Sequence, residues 1–255
     1  MIRTLRLVAA VACLAASAPL ARAADVDLHA AKARVRAAVE AWAGPQDALA
    51  QALWERPELG YREHAGSALL QERLREAGFE IEAGVAGIPT AFVARAGRRG
   101  NGPVIALLAE MDALPGMSQQ AVPVASPVPG QDAGHACGHN LFGAAAVGAA
   151  RAIAGWLREG GHPGEVRVYG TPAEEGGSGK VFMVRAGLFD DVDVVLHWHP
   201  ADANSAAQST SLANISGKFR FHGVAAHAAI SPERGRSALD GVEALNHMAN
   251  LLREH

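Results

Sequence analysis

The 255-residue sequence contains only two cysteines, Cys13 and Cys137. If Cys13 is removed with an export signal, Cys137 has no partner in its own chain, and a disulfide framework is excluded. Aromatic residues make up 5% of the chain. The core must therefore be built by tight packing of small side chains, for which the many alanines and 28 glycines are suited. There is no basic excess, since the formal net charge is −3, and nothing suggests a nucleic-acid partner. Past the N-terminal region, no apolar run reads as long and unbroken enough for a membrane span. No internal repeat is visible. At 49% hydrophobic and 19% charged, the composition is that of a soluble globular protein able to bury a core.

The N-terminus reads as an export signal. Arg3 and Arg6 precede a short apolar run, Leu7 to Ala16, which is too short to span a bilayer, and Ala21-Arg22-Ala23 forms an A-x-A cleavage site. A lipoprotein reading would make Cys13 the acylated residue, but little apolar sequence precedes it and a better cleavage site follows. The expectation is a signal peptide over 1–23, a mature chain from Ala24, a periplasmic or secreted location, and no membrane attachment after cleavage.

The remaining pattern is α/β: a largely parallel sheet flanked by helices. Helices are expected over Ala30 to Trp42, Pro45 to Glu55 and His64 to Ala77, the last closed by Gly78. Gly138 to Leu157 reads as a buried helix of small residues lying close to a sheet. Short apolar runs at Thr90 to Arg95, Val104 to Ala109, Val166 to Gly170 and Val192 to Leu196 read as strands. AVPVASPVPG, Ala121 to Gly130, reads as a loop. Strands alternating with helices imply a parallel sheet, and ligands bind such sheets beyond the carboxyl ends of their strands. From Ile215 the character changes. Lys218 to His222 alternates as a half-exposed strand does, and Ser237 to Leu252 carries helical spacing. A first domain over 24–212 and the start of a second over 213–255 are therefore expected.

Polar residues cluster after the strands. Glu110-Met111-Asp112 follows one, Thr171-Pro172-Ala173-Glu174-Glu175 another, and His197-Trp198-His199-Pro200 a third, while His135-Ala136-Cys137-Gly138-His139-Asn140 opens the buried helix. A lone cysteine is usually buried filler. A glutamate pair alone is usually a solvated turn, and two histidines at a strand end are usually satisfied polar residues. Together on one sheet edge they imply a site. Thiolate, imidazole and carboxylate are the ligands of zinc-type ions, and Gly138 lets the chain bend between Cys137 and His139. Of two adjacent glutamates, one can hold metal while the other takes a proton from the attacking water.

EMDALPG, HACGHNLFG, TPAEEGGSGK, WHP and GVAAHAAISPERGRSALD resemble, in order, the amidohydrolase family of aminoacylase-type metallopeptidases, from about Trp42 to the last residue. The resemblance implies an α/β catalytic domain interrupted by a smaller lid that also makes a homodimer, and a site with two divalent ions, Zn or Mn. It implies Cys137, His139, Glu175 and His199 as ligands, with His197 as the fallback for His199. It implies Glu174 as general base, Asp112 as an aspartate behind the ligands, and His227 as a lid histidine reaching a neighbouring subunit's substrate. The family also has the rest of the lid, a returning half of the catalytic domain and a final histidine ligand, which these 255 residues do not contain; the expectation is a fragment, a truncated gene product or a split protein, with an apolar sheet edge left uncovered.

The function so implied is a metal-dependent amidohydrolase cleaving an acyl–amino acid amide, such as an aminobenzoyl-glutamate-like molecule or a small dipeptide. Two alternatives stay open: a truncated, catalytically inactive metal-binding or assembly module of the same family, and a thiol hydrolase with Cys137 as nucleophile. Arg234 and Arg236 could hold a substrate carboxylate. They read equally well as solvated arginines near a helix start.

Overall fold

The computed structural model describes residues 27–254, apart from 101, 207–209, 211 and 214. The expected signal peptide and Cys13 lie outside the described residues. The chain divides into two compact units between Asp202 and Ala203.

The first unit begins with helices α1 (Leu28–Ala41), α2 (Ala43–Trp54) and α3 (His64–Glu76). Asp27 starts α1 by accepting from the backbone N–H groups of His29 and Ala30. Strands β1 (Glu80–Ala83), β2 (Phe92–Arg98) and β3 (Val104–Ala109) follow, then a two-residue pair, β4 (Leu114–Pro115) and β5 (Ala133–Gly134). Helix α4 (His139–Gly160), strand β6 (Gly164–Gly170), the single turn α5 (Glu174–Gly177), helix α6 (Gly179–Arg185) and strand β7 (Val194–Leu196) complete it. The stretch 121–130 is a loop, as its prolines require.

The main sheet runs β1-β2-β6-β3-β7. It is mixed rather than largely parallel. β6, β3 and β7 are parallel, while β2 runs antiparallel to both β1 and β6. The eight residues between β1 and β2 are too few for the crossover a parallel pair needs, so those two strands can only form a hairpin-like pair. Both faces of the sheet are covered, and alternate residues serve each. Phe92, Ala94, Leu107, Ala109, Val166 and Val168 pack with α2, α3 and α4. Val93, Ala106, Leu108 and Tyr169 pack on the other face with Val85, Ile88 and Met183. This explains why β3 reads as an unbroken apolar run. At 22 residues, α4 is long and apolar enough to cross a bilayer by length and composition. It is instead a core helix, with Ala144, Val147 and Ala150 buried against the sheet. β7 is the outer strand, and Val194, Val195 and Leu196 on it are about half exposed.

The register places Ala109 opposite Gly170 and Leu107 opposite Leu196. β3 and β6 thus end together and β7 stops two positions earlier, so the loops beginning at Glu110, Thr171 and His197 leave from one edge.

In the second unit the expected strand over Lys218 to His222 does not form. A strand is held by ladder bonds to a neighbour, and none of the described residues pairs with this stretch. Nearby, only the isolated bridge between Val224 and Arg236 forms. The expected helix is present as α7 (Ala238–Leu251), with Ser237 accepting from Asp240 N at 3.2 Å as its cap. None of the unit's described residues is buried.

Candidate metal centre

Gly138 starts α4 in the left-handed region, at φ +84°. A Cβ there would also stand 3.0 Å from Pro200 Cγ. Glycine thus serves twice: it turns the chain between Cys137 and His139, and it admits the loop that carries His199. As a result Cys137 Sγ lies 3.1 Å from His199 Nε2. His199 Nδ1 is 2.8 Å from Pro200 O. A carbonyl only accepts, so Nδ1 carries the proton and Nε2 offers its lone pair to the site.

His139 is fully buried at the start of α4. Its Nδ1 donates to Asp112, whose backbone O is at 2.9 Å and Oδ1 at 3.0 Å. Its Nε2 is 3.0 Å from Glu110 Oε2 but not aligned for a hydrogen bond, so this buried nitrogen has no hydrogen-bond partner among the described residues. Burial opposes a charged ring, but the carboxylates of Asp112 and Glu110 outweigh it and raise His139 to about 10. The surroundings of Nε2 therefore favour a positive charge at that point.

The two glutamates leave one turn in different directions. Glu175 is fixed by its backbone N–H, which donates to Asp112 Oδ2 at 2.9 Å. Its Oε1 is buried and has no hydrogen-bond partner among the described residues. Glu174 Oε2 lies 3.8 Å from His139 Nε2, and its side chain is 42% exposed, open to water and to a substrate. Asp112, itself buried, thus orients His139 with one oxygen and Glu175 with the other.

Glu110 does not stand out in the sequence, although it opens the EMD loop at a strand end. It is buried, pairs with Lys180 and stands 3.4 Å from His197 Nε2. Burial pushes its carboxyl up, but His139 and Lys180 overcome this and bring it down to about 2. His197 therefore faces Glu110, and His199 is the histidine at the thiol.

Cys137 sits among acceptors. Burial, then the hydrogen-bonded Glu175 carboxylate, then the charges of Glu174 and Glu110, push its thiol up to about 12. A nucleophilic cysteine needs the reverse, a positive setting that stabilises thiolate. The same surroundings suit a cation. Cys137, His139 and His199 offer ligand atoms within 4.8 Å of one another, as do Glu110, His139 and Glu174. Donors around one tetrahedral zinc, each at roughly 2.0–2.3 Å, stand about 3.3–3.8 Å apart. The residues present fit a divalent ion: a soft sulfur, two imidazoles, surplus carboxylate charge, and two buried ligand atoms, His139 Nε2 and Glu175 Oε1, without a hydrogen bond among the described residues.

His227 belongs to the second unit, where its Nδ1 accepts from Ala229 N at 3.2 Å. Arg234 is exposed, with Glu233 3.9 Å away, and the Arg236 backbone bridges to Val224.

Comparison with known proteins agrees with this geometry. Residues 106–235, which hold all four strand-end and helix-start motifs, match the model of peptidase family M20/M25/M40. One of the subunits of the p-aminobenzoyl-glutamate hydrolase of Escherichia coli K12 is 49% identical over 81% of this chain and 43% of its own length. The mouse Xaa-Arg dipeptidase is 35% identical over 84% of this chain and 48% of its own. Among solved structures, a dinuclear metal-binding M20 peptidase from Bacillus subtilis is 31% identical and superposes with a TM-score of 0.53, covering 61% of this chain and 42% of that one. The chain spans less than half the length of each of these relatives. Sequence, fold and the donor set at the sheet edge agree, and the chain belongs to peptidase family M20/M25/M40.

Proposed function

We propose that this chain carries the metal-binding half of an amidohydrolase that cleaves the amide between an acyl group and an amino acid. The observation that carries the reading is the pair of buried ligand atoms without a hydrogen-bond partner among the described residues, His139 Nε2 and Glu175 Oε1, beside Cys137 and His199. Cys137, His139, Glu175 and His199 would hold divalent ions, Zn or Mn, and the dinuclear relative supports two of them. Such ions supply Lewis acidity toward an amide carbonyl and toward water. Asp112 fixes the His139 ring through Nδ1, so that Nε2 faces the site. Glu174, partly exposed beside His139, takes the proton from attacking water and returns it to the leaving amine. His227, from the second unit, donates to the carbonyl oxygen as charge develops there.

The names of the relatives point to aminobenzoyl-glutamate or small dipeptides as the substrate class. A homodimer formed through the second unit, and export to the periplasm or beyond, complete the proposal. The test is hydrolysis of p-aminobenzoyl-glutamate and of Xaa-Arg dipeptides by the full chain. Chelation should abolish activity, and added Zn or Mn should restore it. Activity that survives chelation but is lost on alkylation of Cys137 would establish the thiol route instead.

A further inference from the structure

The stretch Pro57-Glu58-Leu59-Gly60-Tyr61-Arg62-Glu63 lies outside the metal centre, yet it holds both loops that feed the centre. On one side, Glu58 O accepts from Ala113 N at 2.8 Å and Leu59 bridges to Ala113, next to Asp112. On the other, Glu63 Oε1 accepts from Ala173 N at 2.8 Å, directly before Glu174 and Glu175. Gly60 lies against the same residue: a Cβ there would stand 2.9 Å from Ala173 Cβ. Tyr61 OH donates to Gly177 O, at the far end of the turn. Glu58 also caps α3, accepting from Ala65 N and Gly66 N, so the stretch is anchored to a helix.

Ala173 is the residue that needs holding. It sits at φ +58° and ψ +45°, a left-handed conformation that a residue with a Cβ adopts at a cost, and it is buried. Its conformation sets the direction in which Glu174 and Glu175 leave β6. Glu63 is itself fully buried, an uncommon place for a carboxylate. Its other oxygen, Oε2, accepts from Thr90 Oγ1 at 3.0 Å. Thr90 O accepts in turn from Ser67 Oγ at 2.8 Å, and Ser67 Oγ accepts from Gln71 Nε2 at 2.9 Å. A buried polar chain thus runs from α3 to the turn that bears the two glutamates, with Glu63 at its end.

We propose that Glu63 is a positioning residue whose buried carboxylate locks the left-handed peptide at Ala173 and so aims Glu174 and Glu175 at the metal centre. The proposal rests on the roles given above to those two glutamates. The side-chain hydrogen bonds of Glu63 among the described residues go to Ala173 and Thr90 and not to a proposed ligand, so it acts through Ala173. Its required chemistry is narrow: an acceptor for the Ala173 N–H at that depth, with a partner for Thr90.

The experiment compares Glu63→Gln with Glu63→Met in the full chain, measuring Zn affinity by competition with a chelating dye as well as kcat and KM. Glutamine keeps an acceptor for Ala173 N and can donate to Thr90 Oγ1. It should stay within about threefold of wild type on every measure. Methionine fills similar volume but accepts nothing strongly. It should lose about 10- to 100-fold in Zn affinity, the usual scale for removing a group that orients a ligand, and lower kcat far more than it raises KM. Adding Ala173→Gly to Glu63→Met should recover part of the loss, because glycine adopts the left-handed turn without help. A glutamate that merely fills the core would give no such rescue. If the methionine variant does not fold, Thr90→Val, which strips one partner from the carboxylate, takes its place, and at least a threefold loss of Zn affinity is expected. Equal Zn affinity in wild type and in the folded Met or Val variant overturns the proposal while leaving the metal-centre reading standing. Wild-type protein that binds neither Zn nor Mn overturns both.

Discussion

Cys137 and His199 lie 62 residues apart in sequence and 3.1 Å apart in space. A Cys–His contact of this length has two chemical meanings, an activated nucleophile or a pair of ligands. The charges nearby decide between them. Burial and three carboxylates raise the thiol to about 12, so at neutral pH the metal-free protein holds a thiol and not a thiolate. The metal-free protein at pH 7.5 should therefore react with iodoacetamide at least about tenfold more slowly than a free cysteine of pKa near 8.5. The rate should climb with pH well beyond pH 9 instead of levelling off. Fast alkylation at neutral pH would restore the nucleophile reading.

The division of labour between the adjacent glutamates gives a second prediction. Glu175 is pinned by Asp112 and presents a buried oxygen with no hydrogen bond among the described residues, whereas Glu174 is open to solvent beside His139. Glu174→Gln should keep nearly all bound metal and lower kcat by about 100- to 10,000-fold. Glu175→Ala should lower the metal content itself. Elemental analysis of the two purified variants checks this, and equal metal loss in both would mean that the roles are wrongly divided.

Much of this centre is legible in the sequence because its chemistry requires particular residue types at strand ends. Val104–Ala109 is buried on both faces, so it reads as a strand with the bounds found. Each motif that follows a strand is polar where the strand is not. Other features depend on partners that no local pattern names. Glu63 reads as an ordinary acid at a helix start, and its partner Ala173 lies 110 residues away. Glu110 is overshadowed by Asp112 until Lys180 is seen packed against it. The antiparallel side of the sheet follows from how β2 is placed, not from its composition. At Lys218 to His222, alternation alone is not enough to make a strand, since a strand also needs a neighbour.

A buried charge on β6 supplies a pH prediction. Arg167 is buried and makes a two-pronged contact with Asp191, both bonds 2.7 Å long. That contact, outweighing some desolvation, holds the Asp191 carboxyl down at about 2. A depressed carboxyl stabilises the fold above its unfolded value, near 3.9, and this stabilisation is lost as pH falls through the folded value. The Asp191 side chain is 46% exposed, so solvent screening limits the effect to about 1 kcal/mol, or roughly 2–4 °C in Tm. Asp191→Asn should melt lower than wild type by that amount at pH 7. The gap should shrink between about pH 4 and pH 2. A gap that is unchanged at pH 3 would show that the aspartate does not act through its charge.

His227 gives the last prediction. Its Nδ1 accepts from the Ala229 N–H, so in the neutral ring the proton sits on Nε2, which makes Nε2 a donor. A donor is what a developing oxyanion requires, and losing one typically costs about 100- to 1,000-fold in kcat. His227→Ala should show a loss on that scale with metal content unchanged, since the proposed ligands all lie in the first unit. If the second unit serves a partner's site, each site combines Glu174 of one protomer with His227 of the other. Mixing the His227→Ala and Glu174→Gln proteins then creates hybrid dimers with one intact site and one doubly defective site. Random exchange in a two-fold dimer makes half of the dimers hybrids, so about a quarter of wild-type activity should return. The assay is hydrolysis before and after subunit exchange, with exchange followed independently by a mass tag on one variant. Complete exchange without recovered activity would place His227 in its own protomer's site or outside the reaction altogether.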